Sequence, residues 1–200
     1  MATLFLVRHG NTFDAGDIVT RVGGRTDLPL SASGRKQADA LATHFEGTCF
    51  YAALTSPLQR TRATARAILS RRTDAPALLI RTFLREIDYG PDENQPEQVV
   101  IARLGAAALQ AWDEDATPPE GWIVDPDAIR AGWSVLLKEI AALPASANVL
   151  VVTSNGTARF LPDVVDTRPA GLDRKLRTGA WGEVNVTRDA AVIEVWNSRP

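Results

Sequence analysis

Four short apolar runs, each ending in polar or small residues, constrain the fold of this chain more than any other feature. They are Thr3–Val7, Tyr51–Leu54, Leu78–Ile80 and Val149–Thr153. Short apolar runs bounded by turn signals are typical of buried strands. Segments with helical spacing separate them, and this alternation predicts an α/β fold with a mainly parallel sheet.

The segments between these runs carry helix and hairpin signals. Ser31 is expected to cap a first helix, whose apolar residues recur at i, i+3, i+4 and i+7. Ser56 is expected to cap a second helix that has Pro57 in its first turn. Two late strands, Ala180–Thr187 and Ala191–Trp196, are predicted to pair as a hairpin.

The middle of the chain differs in character from its two ends. It holds an acidic, proline-containing loop, an amphipathic helix over residues 96–113, a second irregular stretch, and a further helix at Pro126–Leu143. We expect a single domain, residues 1–200, in which residues 88–145 form a helical insertion or cap over the sheet.

Composition excludes several classes of partner. The 200 residues have a formal net charge of −2, and both signs are mixed along the chain, so neither a nucleic acid nor a membrane is expected as a partner. Cys49 is the only cysteine, so we expect it in the core of a cytoplasmic protein without disulfides. With only His9 and His44, the chain is not expected to use a metal or another cofactor. Its oligomeric state is not readable.

Ligands of parallel sheets bind beyond the carboxyl ends of the strands, so the residues that follow the four strands should share one surface. These residues are Arg8, His9 and Gly10; Ser56, Pro57 and Arg60; Arg85 and Glu86; and Ser154, Asn155 and Gly156. An imidazole, several guanidiniums and a carboxyl are suited to a phosphate ester. The guanidiniums can hold the phosphoryl group, the imidazole can attack phosphorus, and the carboxyl can protonate the leaving oxygen.

Each of these residues also has a plainer interpretation. Taken alone, His9 fits a capping or hydrogen-bonding residue, Arg60 a solvated helix residue, and Glu86 a surface carboxylate or a partner of Arg85. His44 is interpreted as structural. The placement of three such groups at successive strand ends favours the functional interpretation over coincidence.

The same residues carry a family resemblance that spans residues 3–159. In chain order, the matching segments are "LFLVRHGNT", "GRTDLPLSASGRKQA", "TSPLQRTRATA", "LREIDYG" and "VLVVTSNG". This ordered set resembles the histidine phosphatase superfamily, also called phosphoglycerate mutase-like. The resemblance implies a three-layer α/β/α fold with a helical insertion over the site.

The resemblance also implies roles for individual residues and a small phosphorylated substrate or ligand. His9 is implied as the nucleophile that becomes phosphorylated, and Glu86 as the general acid that later acts as a base. Phosphate contacts are expected from Arg8, Thr12, Arg60, Ser154 and Asn155. No metal is required, because the arginines supply the charge stabilisation.

Two positions depart from the family pattern. The second catalytic histidine of the family aligns with Ser154, and Ser154 and Asn155 can each donate only a neutral hydrogen bond, about half as strong as a charge-assisted one. Losing one preorganised donor of this kind typically costs ~10²–10³ in rate. Asn11 stands where many members have Glu and is expected to alter the polarity of the pocket.

Three functional hypotheses follow. The first is a phosphomonoesterase, slow or specialised, that uses His9 and Glu86. The second is a non-catalytic protein that binds a phosphorylated ligand, motivated by Ser154. The third is a phosphoglycerate mutase-type phosphotransferase, which ranks last because only four residues follow Trp196 and mutases usually close a lid and tail over the site.

Overall fold

A computed structural model describes residues 1–200 and contains one six-stranded sheet in the order β3-β2-β4-β1-β5-β6. The strands are β1 (Ala2–Arg8), β2 (Ala52–Thr55), β3 (Leu78–Ile80), β4 (Asn148–Thr153), β5 (Trp181–Val186) and β6 (Ala191–Ser198). The first four strands pair in parallel, and β5 runs antiparallel to both β1 and β6. The predicted α/β fold with a mainly parallel sheet is confirmed.

Helices cover both faces of this sheet. They are α1 (Ala32–His44), α2 (Gln59–Leu69), α3 (Glu97–Leu104), α4 (Ala106–Asp115), α5 (Pro126–Ala141) and α6 (Asn155–Ala158). On β4, Leu150 and Val152 pack with α1 and α2, whereas Val149 and Val151 pack into the cluster that contains α5. Successive side chains of a strand face opposite ways, so a run that is apolar throughout needs both helical layers.

The two predicted helix caps have different outcomes. Ser31 caps α1 as expected, because its side chain accepts a hydrogen bond from the Gly34 amide. The cap prediction for Ser56 is wrong, since α2 begins at Gln59 and Ser56 Oγ instead pairs with Thr61 Oγ1 at 2.7 Å.

The beginning of α2 is satisfied by a distant part of the chain. The Gln59 amide donates to Asp27 Oδ1 at 2.7 Å, and the Gln59 side chain donates to the Asp27 carbonyl. A carboxylate at a helix N-terminus satisfies a free amide and complements the helix dipole. The loop around Asp27 is therefore attached to α2, an interaction that local sequence signals do not reveal.

The single helix predicted over residues 96–113 is two helices in the structure. Gly105 has φ 78° and ψ 160°, which ends α3 and begins α4. This is a backbone conformation that residues with a Cβ adopt poorly, so the glycine fits the bend. The apolar spacing of the sequence continues across Gly105, and for this reason it predicted a single helix.

The predicted insertion, residues 88–145, contains helices of two kinds. In α5, Trp133, Leu137 and Ile140 are buried in the main core, so this helix is an outer layer of the sheet. The helices α3 and α4 pack on each other, and each adds only one buried side chain to that core, Val100 and Trp112. We propose that the cap consists of α3 and α4 and that α5 belongs to the framework.

Two further expectations can be compared with the structure. The late hairpin is confirmed, with Val186 opposite Ala191. The core placement of Cys49 is wrong, because this residue is exposed in the loop before β2, and Phe50 supplies the buried side chain there. None of the helices combines the length and apolar composition that crossing a membrane requires.

Candidate active site

A cavity of about 530 Å³ lies where the parallel strands end. Seven of the eight predicted site residues line it: Arg8, His9, Asn11, Thr12, Arg60, Glu86 and Asn155. All four parallel strands therefore contribute, through the residues that follow the strand or through the helix after it, as expected for this class of sheet.

His9 is held in one tautomer with one nitrogen free of hydrogen. Its Nδ1 lies 2.7 Å from the Gly10 carbonyl oxygen, which can only accept, so Nδ1 carries the proton. Nε2 then has a lone pair, and it accepts a hydrogen bond from Arg60 Nε at 3.2 Å. The imidazole is 6% exposed, so the backbone and Arg60 fix its orientation.

Arg60 is a fully buried guanidinium on α2. Its Nη1 donates to the Thr26 carbonyl at 2.8 Å and its Nη2 to the Gly23 carbonyl at 3.1 Å. A buried cation with neutral partners retains strong attraction for an anion. The geometry fits a guanidinium that binds the oxygens of a phosphoryl group beside His9.

Arg8 directly precedes His9 in the sequence and adds a second guanidinium to the site. Its Nη1 donates to the Leu176 carbonyl at 2.7 Å, and its Nε is buried without a partner. Burial lowers the pKa of both Arg8 and Arg60, although arginine keeps its proton in proteins.

The environment of His9 favours its neutral form. Burial lowers the pKa of His9 well below its usual value of 6.5, and the charges of Arg60 and Arg8 lower it further, against a smaller opposing effect of the Gly10 carbonyl. At neutral pH, His9 therefore presents a lone pair on Nε2 to the cavity instead of a proton.

Glu86 is positioned by two backbone amides. Its Oε1 accepts from the Ile87 amide at 2.9 Å, and its Oε2 accepts from the Gly156 amide at 3.2 Å. A Cβ at position 156 would lie 2.0 Å from Glu86 Oε1, so only glycine leaves room for the carboxyl group. Glu86 is 7% exposed and faces the same cavity as His9.

Asn11 and Thr12 follow His9 in the loop after β1. The Asn11 side chain donates to Ser33 Oγ at 3.1 Å, and the Asn11 amide donates to Gln37 Oε1 at 2.8 Å. These bonds attach the loop to α1 while both residues line the cavity. A polar, uncharged wall results at this position.

Ser154 and Asn155 occupy different positions at the end of β4. Ser154 is fully buried, its Oγ has no hydrogen-bond partner, and it is not part of the cavity wall. Asn155 lines the cavity, and its Oδ1 accepts from the Leu176 amide at 2.9 Å. This bond assigns the amide oxygen and leaves the NH₂ group to donate elsewhere. Asn155, more than Ser154, thus offers a donor to the cavity.

A family model described as "Histidine phosphatase superfamily (branch 1)" matches residues 4–199. The chain belongs to the histidine phosphatase superfamily.

Proteins similar to this chain include phosphatases and a phosphoglycerate mutase. The adenosylcobalamin/alpha-ribazole phosphatase of Escherichia coli K12 is 30% identical, over 98% of this chain and 96% of its own length. The 2,3-bisphosphoglycerate-dependent phosphoglycerate mutase 2 of Gloeobacter violaceus is 31% identical, over 80% and 74%. The solved mycobacterial glucosyl-3-phosphoglycerate phosphatase superposes with a TM-score of 0.79 at 21% identity, covering 98% of each chain. The last comparison supports the fold alone.

The cavity of this histidine phosphatase superfamily member also contains residues that sequence reasoning did not single out. They are Arg21, Tyr89, Glu97, Trp112, Asp113, Arg159 and Lys175, among others. Arg159 had a signal, because it ends the same stretch that contains Ser154 and Asn155. Trp112 and Lys175 had none, since tertiary packing alone brings them to the site.

Besides Ser154, two further polar strand-end residues do not line the cavity. Ser56 is buried in hydrogen bonds at the beginning of α2, and Arg85 donates through Nε to the Gly24 carbonyl at 2.7 Å. Both stabilise the loops that surround the site.

We expect NMR of the ring nitrogens to find His9 neutral and protonated on Nδ1 from about pH 8 to about pH 6. Burial and the two guanidiniums disfavour the imidazolium, and the Gly10 carbonyl selects the tautomer. Signals that disappear in His9→Ala identify His9, since His44 is the only other histidine. A titration near 6.5, or a proton on Nε2, would contradict this geometry.

Proposed function

We propose that this protein is a phosphomonoesterase that works through a phosphohistidine on His9. The observation that carries the proposal is the unprotonated Nε2 of His9, which is fixed beside Arg60 in a cavity that also contains Glu86. A neutral, oriented imidazole is the form that can attack phosphorus.

In the first step, Nε2 of His9 forms the N–P bond while the ester P–O bond breaks. The donors of Arg8 and Arg60 bind the phosphoryl oxygens, and Arg60 Nε moves from the lone pair of His9 onto the phosphate. The hydrogen bond from Nδ1 to the Gly10 carbonyl stabilises the positive charge that develops on the ring. Protonated Glu86 gives its proton to the leaving oxygen, which departs as the alcohol.

In the second step, water replaces the histidine. The Glu86 carboxylate takes a proton from the water, the oxygen attacks phosphorus, and the N–P bond breaks to release phosphate and neutral His9. The Ile87 and Gly156 amides hold the Glu86 carboxylate in position for this step. A residue that donates a proton in one step and takes one in the next returns the site to its starting form.

The site has no second imidazole, and we propose that Asn155 supplies the corresponding donor. Its NH₂ group is left free because Oδ1 is fixed by the Leu176 amide. Ser154, buried beside His9 in the extension of the β1–β4 pairing, is a weaker candidate for a phosphate contact. A neutral donor supports a slower reaction than an imidazolium would.

The direct test compares phosphomonoester hydrolysis by the wild type, His9→Ala and His44→Ala. Loss of the nucleophile in His9→Ala should lower kcat by at least about 10³-fold, because the covalent route is removed. His44, exposed on α1, is the matched control and should retain the wild-type rate. Equal rates in all three proteins would exclude His9 as the nucleophile.

A second substitution examines the donor assigned to Asn155. Asn155→Asp keeps an oxygen for the Leu176 amide but replaces the NH₂ donor with a charge that repels phosphate. We expect kcat/KM to fall about 10²- to 10³-fold with an unchanged unfolding midpoint. An active Asn155→Asp variant would place the donor elsewhere.

The non-catalytic binding protein remains the second candidate, motivated by the neutral residue at position 154. It predicts that phosphorylated ligands bind equally well to the wild type and His9→Ala while neither protein hydrolyses them. A mutase activity is the third candidate, and transfer of phosphate between two positions of one substrate would reveal it.

A further inference from the structure

One part of the cavity wall is cationic but is not used by the chemistry proposed above. It is formed by Trp112 and Asp113 at the end of α4, Arg159 just after α6, and Lys175 in the segment before β5. We name Arg159, Lys175 and Asp113 the second cationic cluster.

Two cations share one carboxylate in this cluster. Arg159 Nη2 and Lys175 Nζ each lie 3.4 Å from an oxygen of Asp113. Charge-assisted hydrogen bonds usually measure about 2.7–2.9 Å, so Asp113 neutralises neither cation at close range. The cluster therefore carries net positive charge that protein groups leave poorly compensated.

Arg159 is held rigidly in this wall. The residue is 1% exposed, its Nη1 donates to the Trp112 carbonyl, and its guanidinium carbon lies 4.0 Å from the centre of the Trp112 ring. Its Nε is buried without a partner. A planar fork fixed by stacking is preorganised to bind an anionic oxygen group.

The charge balance of the whole cavity points the same way. Five cationic side chains and three carboxylates line it. The cations are Arg8, Arg21, Arg60, Arg159 and Lys175, and the carboxylates are Glu86, Glu97 and Asp113. Glu97 pairs with Arg21. A phosphate group beside Arg8 and Arg60 supplies about two negative charges to that part of the cavity, while Arg159 and Lys175 share only Asp113 and keep one positive charge over.

We propose that the substrate carries a second anionic group, and that Arg159 and Lys175 bind it while Arg8, Arg60 and His9 hold the phosphoryl group. The inference rests on the proposed function and specifies its substrate class: phosphomonoesters with a carboxylate or a second phosphate on the same molecule. On binding, Arg159 and Lys175 exchange part of their attraction for Asp113 for attraction to the substrate anion.

The test uses matched substrates that differ in one group. Phosphoglycolate has a carboxylate where ethylene glycol phosphate has a hydroxymethyl group, and the same pair is made on three- and four-carbon chains, each with the bisphosphate as a third member. In the wild type, kcat/KM for at least one anionic member should exceed that of its neutral counterpart roughly 10- to 100-fold. A preference for the carboxylate would show that the cluster binds a carboxylate, and a preference for the bisphosphate would show that it binds a second phosphate.

Four variants separate a binding role from a structural one. Arg159→Met and Lys175→Met should reduce the preference for the anionic member, measured in each variant as the ratio of its kcat/KM to that of the neutral member. Asp113→Asn should increase the preference, because it removes the competing carboxylate. Lys138→Met, on α5 and outside the cavity, is the control and should change nothing. If Arg159→Met does not fold, the variants at Lys175 and Asp113 still test the proposal, because both side chains are half-exposed.

The two proposals fail in distinguishable ways. Equal kcat/KM for all members of every set would overturn the second cationic cluster as a substrate site and leave the phosphatase intact. Absence of hydrolysis would overturn the proposed function. In that case the dissociation constants of the same ligands for His9→Ala decide the inference: tighter binding of the anionic members supports it, and equal binding overturns it.

Discussion

The arrangement of this site depends on one buried cation, the guanidinium of Arg60. It is fully buried, and its three nitrogens donate to the Thr26 carbonyl, the Gly23 carbonyl and Nε2 of His9. An arginine cannot escape burial by losing its proton, so each donor has to find an acceptor. The loop of residues 23–26, the end of β1 and α2 are thereby joined at one point.

The same interaction sets the chemistry of His9. A cation that donates to Nε2 disfavours a proton there, and the Gly10 carbonyl holds the remaining proton on Nδ1. The nucleophilic nitrogen is thus aimed at the place where Arg60 would bind a phosphoryl group. The single hydrogen bond from Arg60 Nε to His9 Nε2 gives a buried donor its acceptor and also keeps the nucleophilic nitrogen unprotonated.

The sequence predicted the framework well because the framework follows from local patterns. Apolar runs located the strands, and Ser31 located the beginning of α1 through its own side chain. The beginning of α2 was misplaced because Asp27, far along the chain, satisfies the Gln59 amide. Gly105 shows a different limit, since its positive φ interrupts a helix that apolar spacing continued.

The candidate site shows the same division between local and tertiary information. Strand ends brought His9 and Glu86 to one cavity, and Asn155 was identified beside them. The sequence could not rank Asn155 above Ser154, because that ranking depends on which side chain the Leu176 amide binds. Nor could it place Lys175, which reaches the cavity only through the packing of a late segment.

The central claim is that His9 carries the phosphoryl group during turnover, and trapping that intermediate tests it most directly. The wild-type protein is mixed with a radiolabelled phosphomonoester, quenched within the first turnover, and digested to locate the label. The account predicts an acid-labile, alkali-stable phosphate on the peptide that contains His9, and none on the His9→Ala protein. Hydrolysis of the ester with no label on His9, or with label on another residue, would contradict it.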